Sequence, residues 1–455
     1  MTASSTRTSR ADAYSAAVAE LTGRGRFGIS LGLQRISAIL DELDHPERDL
    51  HGALVGGTNG KGSVVAMVRS VLQAAGLRVG TMPKPHLIAY RERIAVDGQA
   101  LSEADFAAAI NRVLPAVDAV AARLGAPTEF ETLTAAAFTE LAHRRVDLAV
   151  VEVGMGGRLD ATNVLDPGVA AITNVQKDHE RYLGSTLTAI GTEKAAIIKD
   201  GDLAVTGATG RGFGPISARC ARLHVPLRLA GSRRPYGAAL REAGWQGIVV
   251  DAVTPDGSLD ALRISLLGGH QAQNAATALA VLDAMREDGE RRGRPLRRLD
   301  EAAIRRGLAS ARWPGRLEFL PSTPLGPVLM DGAHNPAGAR ALARALEELD
   351  VSQVPMVFGA TRGKRVTAML RALAPRKPRL VFTSIGEPNA LPATRLLATW
   401  NRIGGGPAEA VEDLDAALKR AAAIPRKPEK PLVVAGSLYL VGAVRSRLLG
   451  GGAAT

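Results

Sequence analysis

Gly56-Gly57-Thr58-Asn59-Gly60-Lys61-Gly62-Ser63 follows the apolar run Ala53-Leu54-Val55 and precedes a helix-patterned stretch from Val64 to Ala75. A strand, a glycine loop and a helix in that order make a cradle for phosphate. Glycines lack Cβ atoms, so the backbone bends tightly and turns its N–H groups toward an anion at the positive end of the following helix. In such a loop Lys61 reaches the β and γ phosphates of a nucleotide, and the Ser63 hydroxyl holds Mg²⁺. The spacing departs from the strict nucleotide-loop pattern: Gly62 separates Lys61 from Ser63, and Val55 stands where the first glycine would. The competing reading is an ordinary glycine turn entering a helix; a lysine and a serine in this setting weigh against it.

Outward from the loop, short β-branched apolar runs alternate with helical patterns from Leu54 to about Arg312. The runs are Val146 to Val153, Val169 to Val175 and Leu203 to Thr206; Ser102 to Leu124, Glu131 to His143 and Leu187 to Ile198 read as helices between them. This alternation predicts a mostly parallel sheet with helices on both faces. Turn-rich text from about Arg234 to Leu267 predicts an antiparallel extension. Leu299 to Arg312 closes the first unit, and Trp313-Pro314-Gly315 reads as a connector. The pattern then restarts with Val328-Leu329-Met330, a helix after Pro336, and the runs Met356 to Phe358, Leu380 to Phe382 and Leu432 to Val434. The expected architecture is α/β. It comprises a flexible tail over 1–25, a phosphate-loop ATPase domain over 26–312, and a smaller Rossmann-like α/β domain over 313–455. A nucleotide cleft between the two domains follows, since ligands favour strand C-termini and domain junctions.

Composition narrows the function. A length of 455 residues favours two cores over one. No run approaches the roughly 18 to 20 apolar residues that cross a bilayer, and the basic, hydroxyl-rich start Met1 to Arg10 has no apolar segment behind it, so no secretory signal is expected. The expectation is a cytoplasmic enzyme, monomeric by default. The single cysteine, Cys220, excludes an internal disulfide and a thiolate metal cluster. The net charge of +12 is dispersed, and the 4% of aromatic residues are not interleaved with it as in a single-strand binder. Anion-binding pockets are therefore expected, with no nucleic acid or membrane partner.

Glu152 ends one predicted strand, and His179 follows Asn174-Val175-Gln176-Lys177-Asp178 after another. A carboxylate and a neutral imidazole can ligate Mg²⁺ beside Ser63, although Mg²⁺ prefers oxygen. Taken singly, Glu152 has a less favoured reading as a solvent-facing strand end and His179 as a helix cap, while Lys194 by itself reads as a surface lysine.

Several segments together resemble one family. They are Gly57 to Ser63, Pro85-His86-Leu87 with Arg91-Glu92-Arg93-Ile94, and Glu152 to Asn163 around Gly154-Met155-Gly156-Gly157. Asp178-His179, Glu193-Lys194-Ala195, Gly269-His270-Gln271 with Asn274, Pro314-Gly315-Arg316, Asp331 to Asn335 and Gly436-Ser437-Leu438 continue the match in order. The chain resembles folylpolyglutamate synthase / dihydrofolate synthase, a branch of the Mur ligase superfamily. The resemblance implies an ATP-dependent ligase joining L-glutamate to a folate, and also to dihydropteroate, through an acyl phosphate, giving ADP and phosphate. It implies that Ser63 and Glu152 hold one Mg²⁺ and that His179 helps hold a second. Lys194 matches a lysine that is carbamylated, Asn274 and Arg316 match nucleotide-binding positions near adenine and phosphate, and Asp331 matches a ribose contact with His334 close by. Lys84, Pro85, His86 and Arg93 fall in the segment expected to bind the acceptor, together with Ile29 to Leu33.

Two departures stand out. The family usually has Thr-Ser before Pro85, where this chain has Pro83-Lys84, and an ammonium cannot ligate Mg²⁺ unless deprotonated; the expectation is that Lys84 supplies positive charge itself. Thr361-Arg362-Gly363-Lys364-Arg365 replaces a stretch that often reads Asp-Lys-Asp, and Pro388-Asn389-Ala390 lacks a customary arginine, which puts the glutamate and folate-tail contacts in doubt. A cell-wall ligase carries a whole domain ahead of the loop, and only the residues up to Val55 precede it here. Another superfamily ligase with a different carboxylate acceptor remains the alternative, and a phosphate-loop ATPase of another class lacks support in a basic track or metal strand. Whether one or both folate activities are present stays open.

Overall fold

A computed structural model describes residues 3–24, 31–232 and 234–450. Ile29 and Ser30, expected in the acceptor-binding segment, lie outside the described residues. The strands are β1 (Gly52–Gly56), β2 (Val79–Met82), β3 (Ala95–Val96), β4 (Gln99–Ala100), β5 (Leu148–Glu152), β6 (Gly168–Ile172), β7 (Leu203–Thr206) and β8 (Leu227–Leu229). They form one sheet in the order β4-β3-β2-β5-β1-β6-β7-β8, parallel from β2 to β8, with β3 and β4 as an antiparallel edge. Every residue of β1 is buried. Leu54 packs into the core on one face with Phe106 and Phe138, whereas Ala53 and Val55 pack into the other with Val64 and Ala275. Burial on both faces is why this strand reads as an unbroken apolar run.

Helix Lys61–Ala74 lies on the second of these faces, against helices Gln271–Arg291 and Glu301–Ser310. Gly307 permits a close approach, since a Cβ there would fall 2.3 Å from the Val71 Cα. The antiparallel extension is a three-stranded sheet of β9 (Gly237–Gly244), β10 (Gly247–Thr254) and β11 (Gly257–Ile264), as the turn-rich text predicts.

The flexible tail expected over 1–25 is corrected for residues 3–24, with 1, 2 and 25 outside the described residues: Ala3–Arg24 is a helix packed on helix Glu103–Leu124. Ala17 and Leu21, four residues apart on one face, are buried with Tyr14 and Val18 packed beside them, and Arg24 pairs with Asp118 at 2.9 Å. The apolar stripe begins only at Tyr14, beyond the polar first residues on which the tail reading rested.

The C-terminal part is a second sheet of β12 (Glu318–Leu320), β13 (Val328–Asp331), β14 (Pro355–Phe358), β15 (Arg379–Phe382), β16 (Ala408–Ala410) and β17 (Leu432–Ala435), in the order β12-β13-β17-β14-β15-β16. Only β12 runs antiparallel. Helices Pro336–Glu348, Val366–Leu373 and Ala393–Arg402 cover one face, and Leu414–Ala422 and Leu438–Leu448 the other. This is the doubly wound arrangement in which ligands meet the carboxyl ends of strands. Among the described residues no helix is long and apolar enough to cross a membrane.

Candidate active site

The glycine loop leaves the C-terminal end of β1, and its geometry explains its glycines. Gly57 (φ 133°) and Gly60 (φ 83°) occupy backbone conformations that side chains disfavour, and a Cβ on them would fall 1.9 Å from Thr173 Oγ1 and 2.3 Å from Asn274 Oδ1. A Cβ on Gly62 would enter the Trp313 ring at 2.5 Å, so the connector's indole closes directly on the loop. The loop is fastened to the segment after β6. Thr58 N donates to Asn174 O and Asn59 N to Asn174 Oδ1, both at 3.0 Å, while Gln176 N donates to Thr58 Oγ1 at 3.0 Å.

Lys61 Nζ donates to the carbonyls of Gly57 and Thr58 at 3.3 Å and stands 3.9 Å from Glu152. Glu152 is buried at the end of β5, and its Oε2 has no hydrogen-bond partner among the described residues. The solvent-facing reading of this residue is thereby excluded. Burial raises its carboxyl above the usual range, opposed by the charges of Lys61, Arg316 and Lys84. Ser63 is buried in the first turn of the helix, on the same cavity wall.

Two further lysines are buried here. Lys194 Nζ donates to the Gly57 carbonyl at 2.9 Å, and burial, with the charge of Lys61, brings its ammonium down to about 7. Lys84 Nζ lies 3.7 Å from the centre of the Phe130 ring and 3.9 Å from Asp160, and makes no hydrogen bond to any described residue. Burial brings it down to about 8, although Asp160 opposes the shift. Asp160 is already occupied, accepting from Met155 N, Thr162 N and the Thr162 hydroxyl.

The C-terminal part supplies the opposite wall. Asp178 receives Lys364 Nζ at 2.9 Å and the Asn335 amide at 3.0 Å, and His334 Nε2 lies 3.5 Å away. These cationic and donor groups hold its carboxyl far below the usual carboxylate range against the effect of burial. His179 follows in a left-handed conformation (φ 51°), its imidazole kept neutral by burial down to about pH 4. Asp331 ends β13, with its oxygens accepting the N–H groups of Leu317 and Ala333 at 2.9 Å. Arg316 stands close enough for a Cβ on Gly332 to meet it at 2.7 Å.

All these groups line one cavity of about 570 Å³: the loop from Gly57 to Ser63, Lys84, Pro85, Glu152, His179, Lys194, Asn274, Arg316, Asp331 and His334. His86 and Arg93 do not line it. Arg93 Nε donates to His86 Nδ1 at 2.9 Å behind the wall, where burial and the guanidinium push the imidazole down to about 4. Glu92 fastens this segment by accepting from the N–H groups of Leu87, Ile88 and Ala89, and a Cβ on Gly442 would meet the Leu87 carbonyl at 1.9 Å. The sequence assigned no role to Asn174, Gln176 or Phe130, and Asn335 entered only as the end of a matching segment. The signal for Asn335 was its place directly before Pro336, the pairing of N-cap and first helical position.

A glycine loop, buried lysines around a carboxylate, and a second α/β unit reaching across them define an ATP-dependent ligase of the Mur type. The sequence profile of the Mur ligase middle domain matches residues 55–282, and that of the dihydrofolate synthetase C-terminal domain matches 321–448. The chain is 34% identical to the dihydrofolate synthase/folylpolyglutamate synthase of Bacillus subtilis, across 96% of this chain and 99% of the relative. It is 36% identical to the protein of the same name from Mycobacterium tuberculosis, across 92% and 90%. The crystal structure of Mycobacterium tuberculosis folylpolyglutamate synthase complexed with ADP and AMPPCP matches with a TM-score of 0.84 at 35% identity, covering 93% of this chain and 96% of that one. The chain belongs to the dihydrofolate synthase/folylpolyglutamate synthase family.

Proposed function

We propose that this enzyme uses ATP to join the amine of L-glutamate to a carboxylate of a folate, and also of dihydropteroate, releasing ADP and phosphate. The observation that carries the reading is the ring of cations, Lys61, Lys84 and Arg316, around Glu152 where the glycine loop faces the second unit. Two anions, a carboxylate and a triphosphate, must meet for such a reaction, and fixed cations in a buried site lower that repulsion. The acceptor carboxylate attacks the γ-phosphorus and ADP leaves. The glutamate amine then attacks the acyl carbonyl, phosphate leaves with the bonding pair, and the amine proton passes to solvent. Lys61 holds charge that spreads over the transferring phosphoryl group.

The donor set suits Mg²⁺. Among the described residues Glu152 Oε2 is a buried carboxylate oxygen without a partner, Ser63 offers a hydroxyl, and no group of three or more His, Cys, Asp or Glu side chains gathers as a metal site. One carboxylate and one hydroxyl are the protein share that Mg²⁺ takes when nucleotide phosphates and water complete its shell. When bound, the ion neutralises phosphoryl charge. His179, neutral at physiological pH, is proposed as a further ligand. Lys194 is proposed as the carbamylation site: a buried amine near Lys61 becomes an anion there, which turns a repulsive pair into an attractive one.

Asn274 and Arg316 are assigned to the nucleotide, Asp331 and His334 to its contact with the second unit, and Lys84 and Pro85 to the acceptor; His86 and Arg93 shape that segment from behind. The domains are taken as 26–312 and 313–455, closing on the nucleotide as part of assembling the site. The protein is taken as a cytoplasmic monomer acting on small molecules, with no nucleic acid or membrane partner.

The test is glutamate-dependent ADP release with Mg²⁺ and ATP, comparing dihydropteroate, tetrahydrofolate and no acceptor, with products identified by mass. Release with both acceptors, each gaining one glutamate, is expected. Release with only one names a single activity, and release with neither points to another carboxylate acceptor within the superfamily.

A further inference from the structure

A second concavity, of about 620 Å³, opens in the C-terminal unit where the loop 361–365 meets helices Val366–Leu373 and Ala393–Arg402. Its lining carries five cations, Arg362, Lys364, Arg365, Arg371 and Arg395, and no acidic side chain. Four of them fall within the ten residues from Arg362 to Arg371, and helix Ala393–Arg402 brings the fifth, Arg395, to the same hollow. Lys364 is paired with Asp178 and Arg365 approaches Glu180 at 4.0 Å. Arg362, Arg371 and Arg395 are exposed and form no ion pair with a described residue. Like charges held in one hollow raise each other's energy, and a bound anion relieves this.

The hollow adjoins the ligation cavity, since Lys364 lines both. The basic loop is also tied to that cavity's wall: Arg362 N donates to the Asn389 carbonyl at 2.7 Å, and Asn389 faces the ligation cavity. Val366 and Leu396, both buried, give the hollow an apolar floor. A ligand that fits presents several carboxylates separated by short methylene stretches. Guanidinium forks match carboxylates in paired hydrogen bonds, and methylenes suit the floor. The bounded size and the lack of any aromatic in the lining do not suit a nucleic-acid strand, which needs stacking platforms along a track.

We propose that this hollow is a subsite for the γ-linked glutamate tail of the acceptor, holding an already extended tail while its terminal carboxylate reaches the ligation cavity. The assignment rests on the folate-ligase reading. Each tail residue offers one free carboxylate to an arginine and two methylenes to the floor. The tail thus acts as a handle on the C-terminal unit, and long-tailed acceptors gain affinity that short-tailed ones lack.

The experiment is calorimetric binding of tetrahydrofolate, its pentaglutamate form, free γ-linked pentaglutamate and ADP to the full chain and to an R371E/R395E double variant. Initial ligation rates on both folates are measured alongside. Loss of charge-assisted hydrogen bonds is expected to weaken both pentaglutamate ligands about tenfold or more, while tetrahydrofolate and ADP change less than about twofold. The rate on the pentaglutamate acceptor should fall in step through KM. Equal effects on both folates, or none, overturn the subsite. So does a double variant that binds free γ-linked pentaglutamate as tightly as the parent. If the parent protein ligates glutamate to neither folate, the functional reading fails instead, which the same parent rates reveal. Retained ADP binding and an unchanged unfolding midpoint establish folding, and R371Q/R395Q replaces the double variant if charge reversal disrupts it.

Discussion

The side-chain amide of Asn335 donates to Oδ1 of Asn59 across 3.0 Å, joining the second α/β unit to the glycine loop. The same amide reaches Asp178 at 3.0 Å, and its carbonyl oxygen caps helix Pro336–Glu348 by accepting from Gly338 N at 2.8 Å. The two duties separate by substitution. Asn335→Asp keeps a good cap but replaces the donor with a charge facing Asp178, so turnover should fall about tenfold or more with the helix intact. Asn335→Ala should lose turnover and, in addition, about 1 kcal/mol of stability. Steady-state kinetics beside thermal unfolding checks both, and parental turnover in the aspartate variant would remove this bridge from catalysis.

Lys61 has no role in the core. Its ammonium touches only loop carbonyls and approaches Glu152, and its side chain stands on the cavity wall. Lys61→Ala should leave the circular dichroism spectrum unchanged and lower kcat by about 10² to 10³ or more, the scale of removing a preorganised charge from a transition state. Near-normal single-turnover rates would take Lys61 out of the site.

Lys84 should show a conflict between stability and activity. Its folded value of about 8 lies below the unfolded 10.5, so the unfolded chain binds more protons between these limits. Stability of the parent therefore rises with pH through that window, and below about pH 8 the buried charge costs up to about 3 kcal/mol. Lys84→Met should abolish this slope, unfold at a higher temperature at pH 7, and ligate about a hundredfold more slowly. Asp160 keeps its three other donors in that variant, so a new orphan charge does not confuse the result. Lys84→Ser tests the metal question: if it matches the parent in rate and Mg²⁺ requirement, the ammonium plays no electrostatic part.

Much of this was legible in the sequence, because β1, Glu152 and the loop obey local rules: an apolar run buried on both faces, then glycines, then a helix. The C-terminal strands announce themselves in the same way. The N-terminal helix does not, since its stripe starts at Tyr14 and depends on the distant helix Glu103–Leu124 for burial. The roles of Trp313 against Gly62 and of Asn335 against Asn59 are equally hidden, each set by contact between residues hundreds of positions apart. His86 and Arg93 show how a motif can name residues without giving their contacts. A motif places them in the acceptor segment, but only the fold reveals that they hydrogen-bond each other behind the cavity wall.

Lys194 gives the last prediction. Its amine is buried, donates to the Gly57 carbonyl at 2.9 Å, and is brought down to about 7 by burial and the nearby Lys61. Above that pH most of the amines are neutral and carry the lone pair that attacks carbon dioxide; the carbamate forms with loss of one proton. The product anion gains attraction from Lys61 and keeps an N–H for Gly57. Protein equilibrated with ¹³C-bicarbonate at pH 8 should show a carbamate carbonyl resonance that Lys194→Met lacks, and the resonance should fade as pH falls through about 7. Ligation by the parent should slow when carbon dioxide is stripped and recover when bicarbonate returns. A rate indifferent to carbon dioxide, with no such resonance, would mean that Lys194 acts as an amine that props the loop through Gly57. In that case Lys194→Met should weaken ADP binding instead.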